Sequence, residues 1–149
     1  MKVYIRNQQR RRKVSLPRIR KFLTTALRHL GLEGSELSVL LVNDRTMREL
    51  NSAYRGIDKS TDVLSFPQVD TATFREITLG DHYLLGDIVV NLHKAERQAR
   101  EYNSTFYEEL KKLLIHGLLH LIGFDHEIDA RSERKMDNKT RELCKQLSI

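Results

Sequence analysis

The chain has 149 residues, 40% apolar and 31% charged, with a formal net charge of +6. That length suits one domain, 1–149, able to bury a core, and no apolar run approaches the roughly 18 residues a membrane helix needs. The first thirty residues hold ten Lys or Arg and no acid, whereas the rest hold sixteen basic and twenty acidic residues. Such a basic end attracts a polyanion such as RNA or forms a solvated face, and charge alone does not separate RNA from DNA or lipid.

Residues 2–6 alternate Val3 and Ile5 with polar neighbours, a short first strand. The stretch 8–13 is polar and basic and reads as a loop, with Arg11, Arg12 and Lys13 as candidate RNA contacts. No apolar segment follows these charges, so no secretory signal is expected. The single cysteine, Cys144, fits a reducing, cytoplasmic setting and a small core position in the last helix.

Ser15 is a helix cap and Pro17 is tolerated in the first turn. Ile19, Phe22, Leu23, Ala26, Leu27 and Leu30 then follow a 3.6-residue period until Gly31. His29 belongs on the surface of that helix end. Residues 37–42 form a continuous apolar run suited to a buried strand. A short helix starts at Asn43 or Asp44, turns Met47, Leu50 and Tyr54 inward, and closes at Arg55 and Gly56. Residues 61–66 are a strand ended by Pro67, 68–82 a loop or hairpin excursion, and 84–90 a further strand. A modest helix over 92–102 carries Ala95, Gln98 and Ala99. His82 and His93 have no partner at ligand spacing and read as surface and structural residues.

Thr105 and Glu108 form a capping-box pair that opens the most informative segment. Phe106, Leu110, Leu113, Gly117 and Leu121 share one apolar face, and His116 and His120 lie at its edge, one turn apart. Gly123 permits a turn out of the helix, after which His126 can return toward the same point. Neutral imidazole suits zinc, and three histidines leave a fourth position for water. The bland alternative is a buried helix end with histidines at its polar margin. A last helix follows, with Met136, Thr140, Leu143 and Leu147 inward.

Strand–helix–strand order predicts an α+β fold: one layered domain with a mixed, partly parallel four-stranded sheet, about five helices and a metal site at the end of a core helix. Gly-rich nucleotide loops are absent. The histidine spacing is similar to that of metzincin peptidases, H-E-x-x-H-x-x-G-x-x-H, but Gly117 stands where their general-base glutamate would be.

Three blocks carry a closer resemblance. They are Asn51, Tyr54, Arg55 and Gly56 with TDVLSFP over 61–67; Gly86-Asp87-Ile88; and HGLLHLIGFDH over 116–126. Together with Met136 they resemble the YbeY family of bacterial endoribonucleases and ribosomal RNA maturation factors over almost the whole chain. The resemblance implies one zinc ion held by His116, His120 and His126 and an important arginine at Arg55. It also implies single-strand-specific cleavage in processing of the 3′ end of 16S ribosomal RNA and a role in ribosome quality control, with the small ribosomal subunit and possible assembly proteins as partners. Phe124 stands where that family often has tyrosine, which removes a hydroxyl but no ligand.

Within that pattern Arg55 is the only basic residue, suited to gripping a phosphoryl group. Asp87, Asp62 and Asp125 are the nearest carboxylates by motif. Asp87 is a candidate catalytic group, while Asp125 and Asp62 suit hydrogen bonds that orient an imidazole or Arg55. Ser65 lacks a base and is no nucleophile. Two other classes stay open: a noncatalytic RNA- or ribosome-binding factor with structural zinc, and a zinc hydrolase such as a peptidase. Coordination by Cys144 would favour a structural ion; its place beside Leu143 and Leu147 speaks against that. Oligomeric state is not encoded in any motif.

Overall fold

The structure, a computed structural model, describes residues 1–69, 82–124 and 129–149. Its strands are β1 (Lys2–Asn7), β2 (Ser35–Val42), β3 (Val63–Pro67) and β4 (Tyr83–Asn91), and its helices are α1 (Leu16–His29), α2 (Asp44–Arg55), α3 (Leu92–Glu101), α4 (Phe106–Leu121) and α5 (Ala130–Gln146). The four strands lie in the order β1-β2-β4-β3. β1 and β4 run parallel to β2, and β3 pairs antiparallel with β4 at the edge. This is the expected α+β fold with a mixed sheet. Most of the 68–82 excursion falls outside the described residues.

The sheet has two unequal faces. Val3, Leu37, Val39, Leu41, Ile88 and Val90 pack with Ile19, Phe22, Leu92, Leu110, Leu114 and Met136 in the main core. On the other face Val42, Leu64 and Val89 meet Met47 of α2, with Leu40, Leu50 and Phe66 partly buried around them. β2 therefore alternates buried and half-buried residues rather than being covered on both sides. The expected inward set of α2 needs one correction. Tyr54 is 69% exposed and meets Phe66 edge-on at 5.3 Å. A single helix cannot cover its whole sheet face, so the last turn of α2 overhangs. Asn51 is buried instead, and its amide donates to the Lys59 carbonyl at 2.8 Å.

β4 is irregular where it meets β2: Glu36 faces Leu84, and Leu37 faces Gly86. The extra residue, Leu85, keeps its side chain in the main core, and the shift resets the alternation that follows. α5 is tied back to α4 by Lys111, a buried ammonium that donates to the carbonyls of Cys144 at 2.8 Å and Leu147 at 3.2 Å. Its charge is balanced by Glu108 at 3.0 Å.

Candidate functional site

The site is built on α4. Thr105 caps it by accepting from the Glu108 amide at 3.1 Å, and Glu108 and Glu109 place negative charge at the positive end of the helix. The Glu108 carboxylate pairs with Lys111, and Thr105 supplies its half of the expected capping box. The middle of the helix presses on the sheet. A Cβ at Gly117 would lie 2.9 Å from Cγ2 of Ile88, closer than packed carbons tolerate. The glycine between the two histidines is thus a packing requirement, and a glutamate there has no room. Ser65 of β3 adds a hydrogen bond, its hydroxyl donating to the Gly117 carbonyl at 3.3 Å.

At the far end the helix closes as the glycine predicts. The Gly123 amide donates to His120 O at 3.1 Å, and the Phe124 amide to Leu119 O at 3.0 Å. Gly123 has φ of 104°, and Phe124 packs back on the main core, completing a Schellman stop. His116 and His120 are half-buried, with ring centroids 4.8 Å apart and planes at 66°. Two imidazoles one turn apart, on a rigid buried helix that ends in a fixed turn, fit the donor chemistry of a divalent metal. Among the described residues no cluster of three possible ligands occurs. The third candidate, His126, and its neighbour Asp125 lie outside those residues.

His116 opens into a cavity of about 840 Å³ between α3, α4 and α5. Asp62 lines it as well, so the structure brings one of the motif carboxylates to this histidine. Asp62 accepts from the Val63 amide at 2.8 Å and from the Gln98 amide at 3.5 Å, while Gln98 also donates to Glu109 at 2.8 Å. Asp87 goes elsewhere. It lies next to Ile88, which packs under Gly117, and strand alternation turns it to the opposite face. There it lines a second concavity of about 610 Å³ with Tyr4, Arg6, Leu50, Tyr54 and Phe66. The sheet separates Asp87 from His116 and His120. Arg55 is exposed at the end of α2, on that same opposite layer, and the chain then rounds the β3 edge to Asp62.

The basic amino-terminal segment divides. Arg11 and Lys13 are exposed. Arg12 is not available in the same way: its guanidinium stacks on Phe106 at 4.0 Å and lies 3.9 Å from Glu96. Arg18 stacks on Tyr107 at 3.6 Å, and Arg20 bonds the Val3 carbonyl, so part of the basic charge ties elements together. Cys144 lines the same cavity as His116, and burial pushes its thiol up, which favours the protonated form over a thiolate ligand. Gln98, Tyr102, Lys112, Asp137, Arg141 and Lys145 also line that cavity. Sequence reasoning missed them, although Lys112 stands one turn before His116.

The loop that presents Asp62 is held by buried Asn91 at the end of β4. Its side-chain amide donates to Asp44 at 2.8 Å, Ser60 at 3.0 Å and the Thr61 carbonyl at 3.2 Å, and its backbone amide donates to Asp62 O at 2.9 Å. Its oxygen meanwhile caps α3 through the His93 and Lys94 amides. Arg97 grips Asp44 with two hydrogen bonds, at 2.7 and 2.9 Å. Those bonds, with help from Asn91, hold the Asp44 carboxyl well below the usual carboxylate range despite partial burial.

A folded-state pKa below the unfolded value means that Asp44 stabilises the fold fully above that unfolded value, about 4. The contribution is lost as pH falls from there toward the folded value. Asp44→Asn is expected to lower stability at neutral pH by about 1 kcal/mol, a figure discounted because the pair is partly exposed. It should also flatten the acid limb of the stability profile below about pH 4. Urea melts across pH 2–7 check both; an acid limb parallel to that of the unaltered protein would contradict the assignment.

Comparison with known proteins agrees with this architecture. The sequence model of the family described as Endoribonuclease YbeY matches residues 4–148. The Endoribonuclease YbeY of Aquifex aeolicus is 42% identical over 139 residues, covering 93% of this chain and 88% of the relative. That of Geobacter metallireducens is 38% identical over 144 residues, covering 96% and 93%. A solution structure of a Thermotoga maritima protein superposes with a TM-score of 0.66 at 30% identity, covering 95% of this chain and 86% of the other. On a family match running nearly end to end and relatives that align over most of their own length, the chain belongs to the YbeY family.

Proposed function

We propose that this protein is a zinc-dependent endoribonuclease that cuts single-stranded RNA and matures the 3′ end of 16S ribosomal RNA on or near the small ribosomal subunit, in the cytoplasm. The observation that carries the reading is the pair His116 and His120 on a buried helix, with His116 lining a cleft, in a chain whose relatives are named endoribonucleases. His126 is the third proposed ligand. Ribosome assembly proteins are further proposed partners.

His116 and His120 would hold the ion by one turn of α4, and Gly117 lets that turn sit against the sheet so the rings cannot drift. A bound zinc ion would supply Lewis acidity and lower the pKa of a coordinated water toward neutrality. Asp62, lining the same cavity, would orient an imidazole or accept a proton at Oδ2, whose contact with Gln98 is long at 3.5 Å. Asp87 lies across the sheet and takes no part in these steps. Arg55 would reach around the β3 edge to grip the phosphoryl oxygens as charge develops.

Arg55→Ala is expected to keep its zinc and most RNA affinity but to lose at least about tenfold in single-turnover cleavage, with Arg55→Lys recovering only part. Cleavage by Arg55→Ala at the unaltered rate would end this role. The test of the function itself is incubation of the purified protein with precursor 16S RNA, with and without chelator. Site-specific cleavage that chelator abolishes supports the reading; none in either arm removes it. One observation favours the noncatalytic alternative, because Cys144 shares the cavity and could close a four-ligand structural site. Its raised thiol pKa weighs against that. Zinc retained by Cys144→Ala would dismiss it.

A further inference from the structure

The cavity beside His116 has a part that no step above uses. Tyr102 ends α3, and its backbone is locked. Its amide donates to Gln98 O at 2.9 Å, and the amides that follow, of Asn103 and Ser104, donate to Arg100 O at 3.3 Å and Ala99 O at 2.8 Å. The residue is nevertheless 59% exposed and lines the cavity. A large aromatic held rigidly in solvent contributes little to the fold and loses little entropy when a ligand covers it.

The surroundings fit one class of ligand. Lys112 Nζ lies 5.0 Å from the Tyr102 ring centroid, and Lys112 stands one turn, about 6 Å of helix rise, from His116. Lys145 lines the facing wall from α5. Neither lysine has a carboxylate partner among the described residues. Of the cavity's acids, Glu108 pairs with Lys111, buried Glu109 takes the Gln98 amide and Asp62 takes the Val63 amide, while Asp137 lines the cavity from α5 together with Arg141. An exposed aromatic face flanked by two lysines that make no ion pair among the described residues suits a planar base carried on an anionic backbone.

We propose that Tyr102 is the stacking platform for an unpaired base of single-stranded RNA, with Lys112 and Lys145 taking the adjoining phosphates. The inference rests on the ribonuclease reading and adds to it the subsite for a nucleotide flanking the reacting phosphate. A paired base presents no free face, so this contact selects single strands.

The probe is a fluorescent 2′-O-methyl oligoadenylate of ten nucleotides, which resists attack by its own 2′-oxygen, titrated into the zinc-loaded full chain. Tyr102→Leu is expected to weaken binding about tenfold and Tyr102→Phe to bind as the unaltered protein does, both with unchanged zinc content. Lys112→Gln should lower the salt slope of log affinity by about 1. Unaltered affinity in Tyr102→Leu, in a protein that still cleaves RNA, overturns the stacking inference and leaves the ribonuclease reading standing. A tenfold loss in Tyr102→Phe would assign the affinity to the hydroxyl and overturn it as well. Failure of the unaltered protein to bind the probe and to cleave unmodified single-stranded RNA overturns both.

Discussion

Replacing His120 with alanine is expected to give a folded protein that has lost nearly all its zinc and cleaves RNA at least about 100-fold more slowly. The fold should survive because the ring is only half-buried, at the edge of the apolar face, whereas Leu110, Leu114 and Leu118 carry the packing of α4. Metal affinity should not survive, since His116 alone would remain on the helix. His116→Ala should behave alike, because the two rings sit 4.8 Å apart and serve one ion under this reading. Elemental analysis and single-turnover cleavage are the measurements. Thermal melting supplies a third readout, as saturating zinc should raise the melting temperature of the unaltered protein and not of either variant. Stoichiometric zinc in both variants would remove the histidine pair as the metal site.

The second large effect concerns Gly86, far from any ligand in sequence. A Cβ there would lie 2.5 Å from the Phe66 carbonyl oxygen and 2.8 Å from Cδ2 of Leu121, at a φ of +150° that side chains rarely adopt. Backbone cannot yield as a flexible side chain would. Overpacking and backbone strain of about 1–3 kcal/mol each put Gly86→Ala near 4 kcal/mol of lost stability, a large fraction of what a domain of this size has. Because Leu121 follows His120 directly, the surviving folded fraction should also bind zinc more weakly. Urea unfolding with coincident fluorescence and circular dichroism tests this. A midpoint equal to that of the unaltered protein would show that β3, β4 and α4 can move apart freely.

Legibility differed between local and assembled features. Helix stops and caps were readable because they depend on a few neighbouring residues, and Ser15, Asn43 and Thr105 cap as their types require. The inward faces of α1 and α5 followed from period alone, and Met136, Thr140 and Leu143 are buried. Tyr54 misled because helical period places it inward, while its burial depends on how much sheet lies beneath the last turn. Arg12 misled in the same way. A basic loop reads as solvated until an aromatic from α4 and a glutamate from α3 arrive beside it.

The residues flanking Ile88 draw the line most clearly. Asp87 is one of three motif carboxylates, and nothing local says which reaches the histidines. Strand alternation around a one-residue bulge decides, sending Asp87 to the opposite face, while the Asn91 network brings Asp62 to the cavity. By itself the sequence determined the family, the α+β class and the pairing of His116 with His120, because each follows from spacing along one segment or from order along the chain. Only the tertiary structure decided which side of the sheet each charged group faces, and that Gly117 is demanded by contact with Ile88. It likewise brought Tyr102, Lys112 and Lys145 from three helices around one cavity. Those outcomes depend on packing between segments distant in sequence, where a single inserted residue reverses a strand's faces.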